Sequence, residues 1–470
     1  MMMIREDITI AAIASPPGTG AVALIRLSGK DSFIICDKVF NATKKGKKLI
    51  NQKPYTVHHG TIHDDNRPID EVLVSLFRTP HSYTGEDIIE ITCHGSQIIQ
   101  QQILELLVRN GARLAEPGEF TLRAFLNGKI DLSQAEAIAD LISSSSEASR
   151  RIALQQMRGG FSNQLKDLRN QLLHFIAMIE LELDFGEEEV EFADRIQLKN
   201  LLNQILSVVN KMMDSFQLGN VIKQGIPVTI AGKPNVGKST LLNRLLNEER
   251  AIVSEIAGTT RDTIEDTINL GGITFRFIDT AGLRHTKDTI ESIGVERAYA
   301  KITQAKVVLL LVDTQSSIDE IIDSVKGIKE KLTNDQTLII LLNKEDKTDL
   351  THNNEILQEL KSTYPNITTL AISAKNGHHI DRLTTELINI GLHRQPETDE
   401  VIITNVRHYD SLLKTKENLE EAIVGLENNL SGDLLAIDIR QAIHYLGEIT
   451  GEITTDEILG HIFSKFCIGK

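Results

Sequence analysis

The stretch Gly232–Ser239 (GKPNVGKS) predicts a phosphate-binding loop in the central part of this chain. It matches the pattern G-x-x-x-x-G-K-[ST], in which glycines let backbone N–H groups turn inward around phosphates. The apolar run Val228–Ala231 precedes it and the helical pattern Thr240–Leu246 follows it, which is the strand, loop and helix order that such a loop needs. We expect Lys238 to neutralise oxygens of the β- and γ-phosphates and Ser239 to bind Mg²⁺.

Three further motifs follow in the order of a guanine-nucleotide site. Asp279–Gly282 (DTAG) comes after the run Thr274–Ile278 and is expected to lie beside Mg²⁺ and the γ-phosphate. Asn343–Asp346 (NKED) follows the run Leu338–Leu342, and its last carboxylate can accept hydrogen bonds from the N1–H and 2-amino group of guanine, which adenine lacks. Ser373–Lys375 (SAK) is expected to pack against the base. Four motifs at strand ends therefore predict a GTP site.

The segment Ser254–Asp262 (SEIAGTTRD) is predicted to be a switch loop of this site. Thr260 is the natural second hydroxyl ligand for Mg²⁺, while Arg261 is either a solvated loop residue or a group that neutralises transition-state charge. Leu283 stands where Ras-like GTPases place the glutamine that orients the attacking water, so hydrolysis must recruit another group. The residues predicted to bind GTP are Asn235, Val236, Gly237, Lys238, Ser239, Thr240, Ser254, Glu255, Ile256, Ala257, Gly258, Thr259, Thr260, Asp279, Thr280, Ala281, Gly282, Asn343, Lys344, Asp346, Ser373, Ala374 and Lys375.

The spacing of apolar residues indicates several domains. Short apolar runs between turn residues, such as Val72–Phe77 and Ile88–Ile91, predict a mixed α+β domain at the start of the chain. Helical spacing then predicts a helical domain, in which the polar quartet Ser143–Ser146 is either helix surface or a break. An α/β P-loop domain of the Ras-like type, with a mainly parallel sheet, is predicted to be inserted into this helical domain. The expected boundaries are 1–125 for the α+β domain, 126–222 and 391–470 for the two parts of the helical domain, and 223–390 for the α/β domain.

Composition and charge exclude several classes of protein. The 470 residues include 50 Lys and Arg against 65 Asp and Glu, a net charge of −15, which counts against a protein that grips nucleic acid by bulk charge. The apolar runs are far shorter than the ~20 residues of a membrane span, and the charged N-terminus does not fit a signal peptide. The 3 cysteines support neither a disulfide framework nor a Cys-rich zinc site, so we expect a cytoplasmic protein.

Motifs along the whole chain resemble the MnmE (TrmE) family of tRNA-modification GTPases. In the α/β domain, the resemblance rests on the phosphate loop, on Ala257–Asp262 (AGTTRD) and on Asp279–Arg284 (DTAGLR). The α+β domain contributes Thr79–Asp87 (TPHSYTGED) and Ala115–Lys129, and the last residues are Phe466–Lys470 (FCIGK). The combination of these three parts is highly specific.

The resemblance implies a function in tRNA modification. The family works with the flavoprotein MnmG (GidA), in a heterotetramer or larger complex, and adds an aminomethyl or carboxymethylaminomethyl group to C5 of the wobble uridine, position 34, of certain tRNAs. The transferred carbon is carried by 5-formyl- or methylene-tetrahydrofolate, and the N-terminal domain holds this folate and forms a homodimer. By motif position, the folate contacts are Arg26, Glu86, Lys129 and Lys470.

The resemblance also implies K⁺-dependent hydrolysis of GTP. The K⁺ ligands map to Asn235, Ser254, Ile256 and Thr259, and Glu291 is implied to orient the attacking water through a second water. Cys467 is implied in the modification step. Two residues depart from the family pattern. Ser96 replaces a usual glycine near the folate motif, and Ser254 replaces a frequent threonine.

Two other functions remain open at this point. One is a regulatory GTPase of ribosome assembly or the stress response, and the other is a folate-dependent methyltransferase with a GTPase regulator. The folate-like motifs and the tail Cys467–Lys470 argue against an assembly GTPase, which needs neither.

Overall fold

The structure, a computed structural model, describes residues 8–184, 195–250, 266–278, 302–333, 335–392 and 401–470. The chain divides into two compact units. The first unit comprises Met1–Ile142, Leu154–Leu206 and Ser411–Lys470, and the second comprises Ser143–Ala153 and Ser207–Asp410. Each unit is therefore built from segments that are distant in sequence.

The described residues contain strands and helices in the following order. The strands are β1 Ile10–Ile13, β2 Val22–Ser28, β3 Phe40–Ala42, β4 Val57–Asp64, β5 Arg67–Phe77, β6 Ile88–His94, β7 Arg113–Leu114, β8 Ile226–Ala231, β9 Asp266–Leu270, β10 Ile273–Phe277, β11 Val307–Asp313, β12 Thr337–Asn343 and β13 Thr368–Ile372. The helices are α1 Ser32–Val39, α2 Gln97–Arg109, α3 Glu119–Leu126, α4 Leu132–Ser143, α5 Glu147–Met157, α6 Gly160–Asp184, α7 Arg195–Gln224, α8 Lys238–Arg250, α9 Ile318–Lys329, α10 Leu350–Thr363, α11 Ile380–Leu392, α12 Val406–Glu427, α13 Gly432–Thr450 and α14 Asp456–Phe463.

The first unit contains a seven-stranded sheet in the order β3-β4-β5-β6-β2-β1-β7. Neighbouring strands are antiparallel except β1 and β7, and α1 and α2 contribute to the apolar core beneath the sheet. The predicted strand Val72–Phe77 forms the second half of β5, which begins earlier, at Arg67. The first half was missed because it is polar and largely exposed, and it is held in the sheet by pairing with β4.

Helices complete the first unit. The long helices α6 and α13 pack against each other. Helix α14 and the residues after it place Leu459, Ile462, Phe463 and Phe466 against Leu122, Leu132 and Ala135 in one buried cluster. Helix α4 ends at Ser143 and α5 begins at Glu147, so Ser144–Ser146 of the quartet form a break between the two helices, while Ser143 closes α4.

The second unit contains a six-stranded sheet in the order β13-β12-β11-β8-β10-β9. All neighbouring pairs are parallel except β9 and β10, which form an antiparallel pair. Successive residues of β11 enter different cores, with Leu309 in one cluster and Leu310 in the other, so both faces of the sheet are covered. This arrangement confirms the α/β prediction. Because β8, β11, β12 and β13 run in the same direction, their carboxyl ends meet at one edge.

Among the helices that the structure describes, none has the length and apolar character needed to cross a bilayer.

Candidate functional site

The phosphate loop connects β8 to α8 at the carboxyl edge of the second unit's sheet. Asn235 and Gly237 have positive φ values of 61° and 103°, which turn the backbone between strand and helix. A Cβ atom at Gly237 would lie 2.4 Å from Nδ2 of Asn343, so this position has room only for glycine. Ser239 and Thr240 follow in the first turn of α8, where backbone N–H groups and the helix dipole favour an anion.

Lys238 folds back over the loop that precedes it. Its Nζ donates to the carbonyl oxygens of Gly232 at 2.7 Å and Lys233 at 2.9 Å. Burial lowers the pKa of Lys238, because the ammonium group is partly removed from water. A bound phosphate would place a negative charge beside this ammonium group.

Asn343 ties the phosphate loop to the segment after β13. Its buried side-chain amide donates from Nδ2 to the carbonyl of Val236 at 2.7 Å, and its Oδ1 accepts from the backbone N–H of Ala374 at 2.9 Å. Arg244 of α8 adds a second connection through the carbonyl of Lys375 at 2.6 Å. The phosphate loop, the NKED motif and the SAK motif are therefore brought together.

A hydrogen bond from Ser373 holds the carboxylate of Asp346 and favours its ionised form. The buried Ser373 hydroxyl donates to Oδ1 of Asp346 at 2.6 Å. This hydrogen bond is the main cause that lowers the pKa of Asp346, so the side chain is ionised at neutral pH. An ionised carboxylate held at this place fits the N1–H and 2-amino donors of guanine.

Asp313 is a residue of this site that the sequence analysis missed. It ends β11, lies opposite Asn343 in the register with β12, and its Oδ2 accepts from Nζ of Lys344 at 2.6 Å. Lys344 has a positive φ of 71°, so its backbone turns two residues before Asp346. The available signal was an aspartate directly after the apolar run Val307–Val312.

We expect Asp313→Asn to weaken GTP binding by about fivefold, because a partly buried ion pair contributes about 1 kcal/mol. Isothermal titration with GDP and a non-hydrolysable GTP analogue measures the change. Asp335→Asn is the matched control, since it removes the Lys306 ion pair, whose aspartate is exposed. Equal affinities of the two variants would contradict a role of Asp313 in holding the loop.

The remaining predicted residues of the nucleotide site lie outside the part of the chain that the structure describes. They are Ser254, Glu255, Ile256, Ala257, Gly258, Thr259, Thr260, Asp279, Thr280, Ala281, Gly282 and Glu291. Asp279 follows Ile278, whose backbone N–H donates to the carbonyl of Val228 in β8. Ile278, the last described residue before the DTAG motif, therefore lies next to the strand that leads into the phosphate loop.

A second group of predicted residues lies in the first unit, around Arg26 on β2. Arg26 lies opposite Glu90 of β6 and donates to its Oε1 from Nε at 2.9 Å. The guanidinium carbon lies 5.6 Å from the ring centre of Tyr83 and 5.7 Å from that of Phe120. This cation between aromatic rings can bind an anionic or aromatic ligand.

The last residues of the chain lie against the same strands. A Cβ atom at Gly469 would lie 2.5 Å from the carbonyl oxygen of Ile13, so the tail approaches β1 more closely than another residue would allow. The carbonyl of Gly469 accepts from Nη1 of Arg26 at 3.4 Å. Burial, and secondly the positive charge of Arg26, lower the pKa of Lys470. Cys467 is exposed, and its carbonyl accepts from the backbone N–H of Lys470.

Glu86 belongs to the TPHSYTGED motif, and Lys129 contacts the loop that contains this motif. Ser28, two residues after Arg26 on β2, donates to Oε2 of Glu86 at 2.6 Å. Nζ of Lys129 donates to the carbonyl of Pro80 at 2.9 Å. The structure thus brings Arg26 and Lys470 together and places Glu86 beside the same strand, while Lys129 contacts the other end of the loop.

Comparisons with known proteins find the same family along both units of the chain. The family model for the N-terminus of the GTP-binding protein TrmE matches residues 9–129, and the model for the MnmE helical domain matches residues 132–467. Proteins called tRNA modification GTPase MnmE are similar over nearly the whole chain. That of Flavobacterium johnsoniae is 55% identical and that of Flavobacterium psychrophilum 54%, each over 100% of both chains. That of Christiangramia forsetii is 53% identical over 98% of this chain and 99% of its own.

Proposed function

The chain belongs to the MnmE family of tRNA modification GTPases, and on this basis we propose that it acts with the flavoprotein MnmG (GidA) on the wobble uridine of certain tRNAs. The reaction adds an aminomethyl or carboxymethylaminomethyl group to C5 of uridine 34, with a carbon carried by tetrahydrofolate. The observation that supports it best is the docking of the tail, Gly469 and Lys470, beside Arg26 in the first unit. A GTPase that only regulates assembly needs no such second site.

We propose the following roles for the residues of the nucleotide site. Lys238 neutralises phosphate oxygens, Ser239 together with Thr260 holds Mg²⁺, and Asp346 recognises guanine. The half-buried Ser239 in the first turn of α8 fits a hydroxyl ligand of Mg²⁺. Glu291 is proposed to orient the attacking water, which compensates for Leu283 at the usual glutamine position.

K⁺ completes this proposal for hydrolysis. Asn235 of the phosphate loop, with Ser254, Ile256 and Thr259, would hold the ion, which supplies positive charge near the bond that breaks between the phosphates. Asn235 is exposed, so its side chain is accessible to an ion.

We expect GTP turnover in KCl to exceed that in NaCl by about tenfold or more, because charge neutralisation is a large part of the catalysis of phosphoryl transfer. Release of phosphate is measured at equal ionic strength in the two salts. The control is the affinity for GDP, which should be similar in both. Equal turnover in the two salts would contradict the K⁺ assignment.

The first unit would hold a reduced folate. The cations Arg26 and Lys470 suit the glutamate carboxylates of folate, and Glu86 suits the N–H donors of the pterin ring. The lowered pKa of Lys470 supports this fit, because an anionic ligand would relieve the proximity of two cations. Lys129 is assigned to the same ligand by its motif, and the bound folate supplies the one-carbon unit. We assign Cys467, exposed beside this tail, to the modification step.

The proposal further includes a homodimer formed through the N-terminal domain, a heterotetramer or larger complex with MnmG, and a cytoplasmic location. The domain boundaries that we propose are 1–125, 126–222, 223–390 and 391–470. The net charge of −15 suggests that tRNA is held through the partner or a local patch.

Mass spectrometry of tRNA nucleosides tests the function in cells. In cells that lack this protein, the C5-modified wobble uridine should be lost, and it should return when the gene is restored. An unchanged nucleoside profile would overturn the proposal and favour a GTPase of ribosome assembly.

A further inference from the structure

Charged side chains in the first unit form a largely buried row behind Glu86. The row consists, in order, of Arg113 on β7, Glu119 and Arg123 on α3, and Glu86. Glu119 is 2% exposed and Arg123 3%, so both charges are almost fully removed from water. Two positive and two negative groups alternate, which balances the charge within the row.

Both carboxylate oxygens of Glu119 accept hydrogen bonds from neighbouring protein groups. Its Oε1 accepts from Arg113 and, at 3.0 Å, from Nη2 of Arg123, while its Oε2 accepts from the backbone N–H of Glu116 at 2.8 Å. Nη2 of Arg123 also donates to the carbonyl of Ile8 at 2.9 Å. The guanidinium of Arg123 is therefore fixed from one side by groups that take no part in binding a ligand.

The other side of Arg123 holds Glu86. Nη1 of Arg123 lies 3.1 Å from each of the two carboxylate oxygens of Glu86. The Ser28 hydroxyl donates to Oε2, so Oε1 has only the bond from Nη1 in the described part of the chain. Since the Glu86 side chain is 19% exposed, Oε1 is the atom with the most remaining capacity to accept hydrogen bonds from a ligand.

We propose that Arg123 is a positioning residue that orients the Glu86 carboxylate toward the pterin N–H donors of a reduced folate. The inference rests on the folate site proposed above. Arg123 is too deeply buried to touch the ligand, so it acts only through Glu86. A planar guanidinium suits this task because it can contact Glu86, Glu119 and the Ile8 carbonyl at once, whereas a lysine ammonium group cannot reach all three.

A double-mutant cycle with Arg123→Lys and Glu86→Gln tests the proposal. The affinity of the full-length protein for 5-formyltetrahydrofolate is measured by isothermal titration, and the Tm of each variant is measured beside it. In the presence of Glu86, Arg123→Lys should weaken binding by about tenfold, equivalent to the loss of one or two charge-assisted hydrogen bonds. In the Glu86→Gln background the same substitution should leave the affinity unchanged, although it lowers the Tm in both backgrounds.

The outcomes separate this inference from the proposed function. Absence of folate binding by the wild-type protein would overturn both. Weaker binding by Glu86→Gln, with an equal further loss on adding Arg123→Lys, would overturn only the role of Arg123. Should Arg123→Lys fail to fold, Arg113→Lys at the more exposed end of the row replaces it. We expect a two- to threefold loss from Arg113→Lys that depends on Glu86, and an unchanged affinity would refute the inference.

Discussion

Asp346→Asn is expected to weaken GTP and GDP binding by a factor of about 100 or more, because two charge-assisted hydrogen bonds to guanine are lost. An asparagine side chain also offers its own N–H group, which fits the 2-oxo group of xanthine. The variant should therefore gain affinity for xanthosine nucleotides as it loses affinity for guanosine nucleotides. Competition of XDP and GDP for a fluorescent nucleotide measures both changes.

Asp349→Asn is the matched control for this prediction. Asp349 lies three residues further along the chain, directly before α10, and its side chain makes no capping hydrogen bond. The Asp349→Asn variant should bind GDP with the affinity of the wild-type protein. If Asp346→Asn kept its preference for GDP over XDP, the assignment of the guanine-recognition residue would be wrong.

Lys470→Ala is expected to weaken binding of 5-formyltetrahydrofolate by about tenfold or more and to reduce the modified wobble uridine in cells. The reason is the loss of a cation that pairs with a carboxylate in a partly buried place. Because burial lowers the pKa of Lys470, the affinity of the wild-type protein should fall as the pH rises, beginning below the usual range of a lysine. Titrations over a pH series measure both effects.

Lys465→Ala is the matched control, since Lys465 is an exposed lysine of the same tail. It should keep the folate affinity of the wild-type protein. An equal loss from Lys465→Ala and Lys470→Ala would show that general positive charge, rather than the docked terminal residue, determines binding.

The prediction of the nucleotide site could be made from the sequence alone for a physical reason. Its motifs are short and continuous in sequence, and each follows an apolar run that predicts a strand. Because the carboxyl ends of parallel strands meet at one edge of a sheet, motifs that follow such strands are expected to lie together at that edge. Asp313 was missed because a single aspartate after an apolar run carries no motif, and only the strand register shows that it faces Asn343.

The residues that we propose to bind folate could be assigned only by resemblance to a family. Arg26 contacts Gly469, which is 443 positions away in sequence, and no spacing rule connects them. The buried row that contains Arg123 could not be predicted from the sequence either, because charged residues on a short helix are usually expected to face solvent. The polar first half of β5 has no alternating apolar pattern, so its membership of the sheet depends on tertiary pairing.

The cluster formed by α14 has a consequence for synthesis of the chain. Leu122 and Leu132 are made early, but their buried partners Phe463 and Phe466 are made only after the whole second unit. When the ribosome completes β13, all the described strands of the second unit's sheet have been made, whereas the first unit still lacks Ser411–Lys470. A chain that stops before α14 leaves Leu122 and Leu132 uncovered, so quality-control proteases would remove prematurely terminated chains.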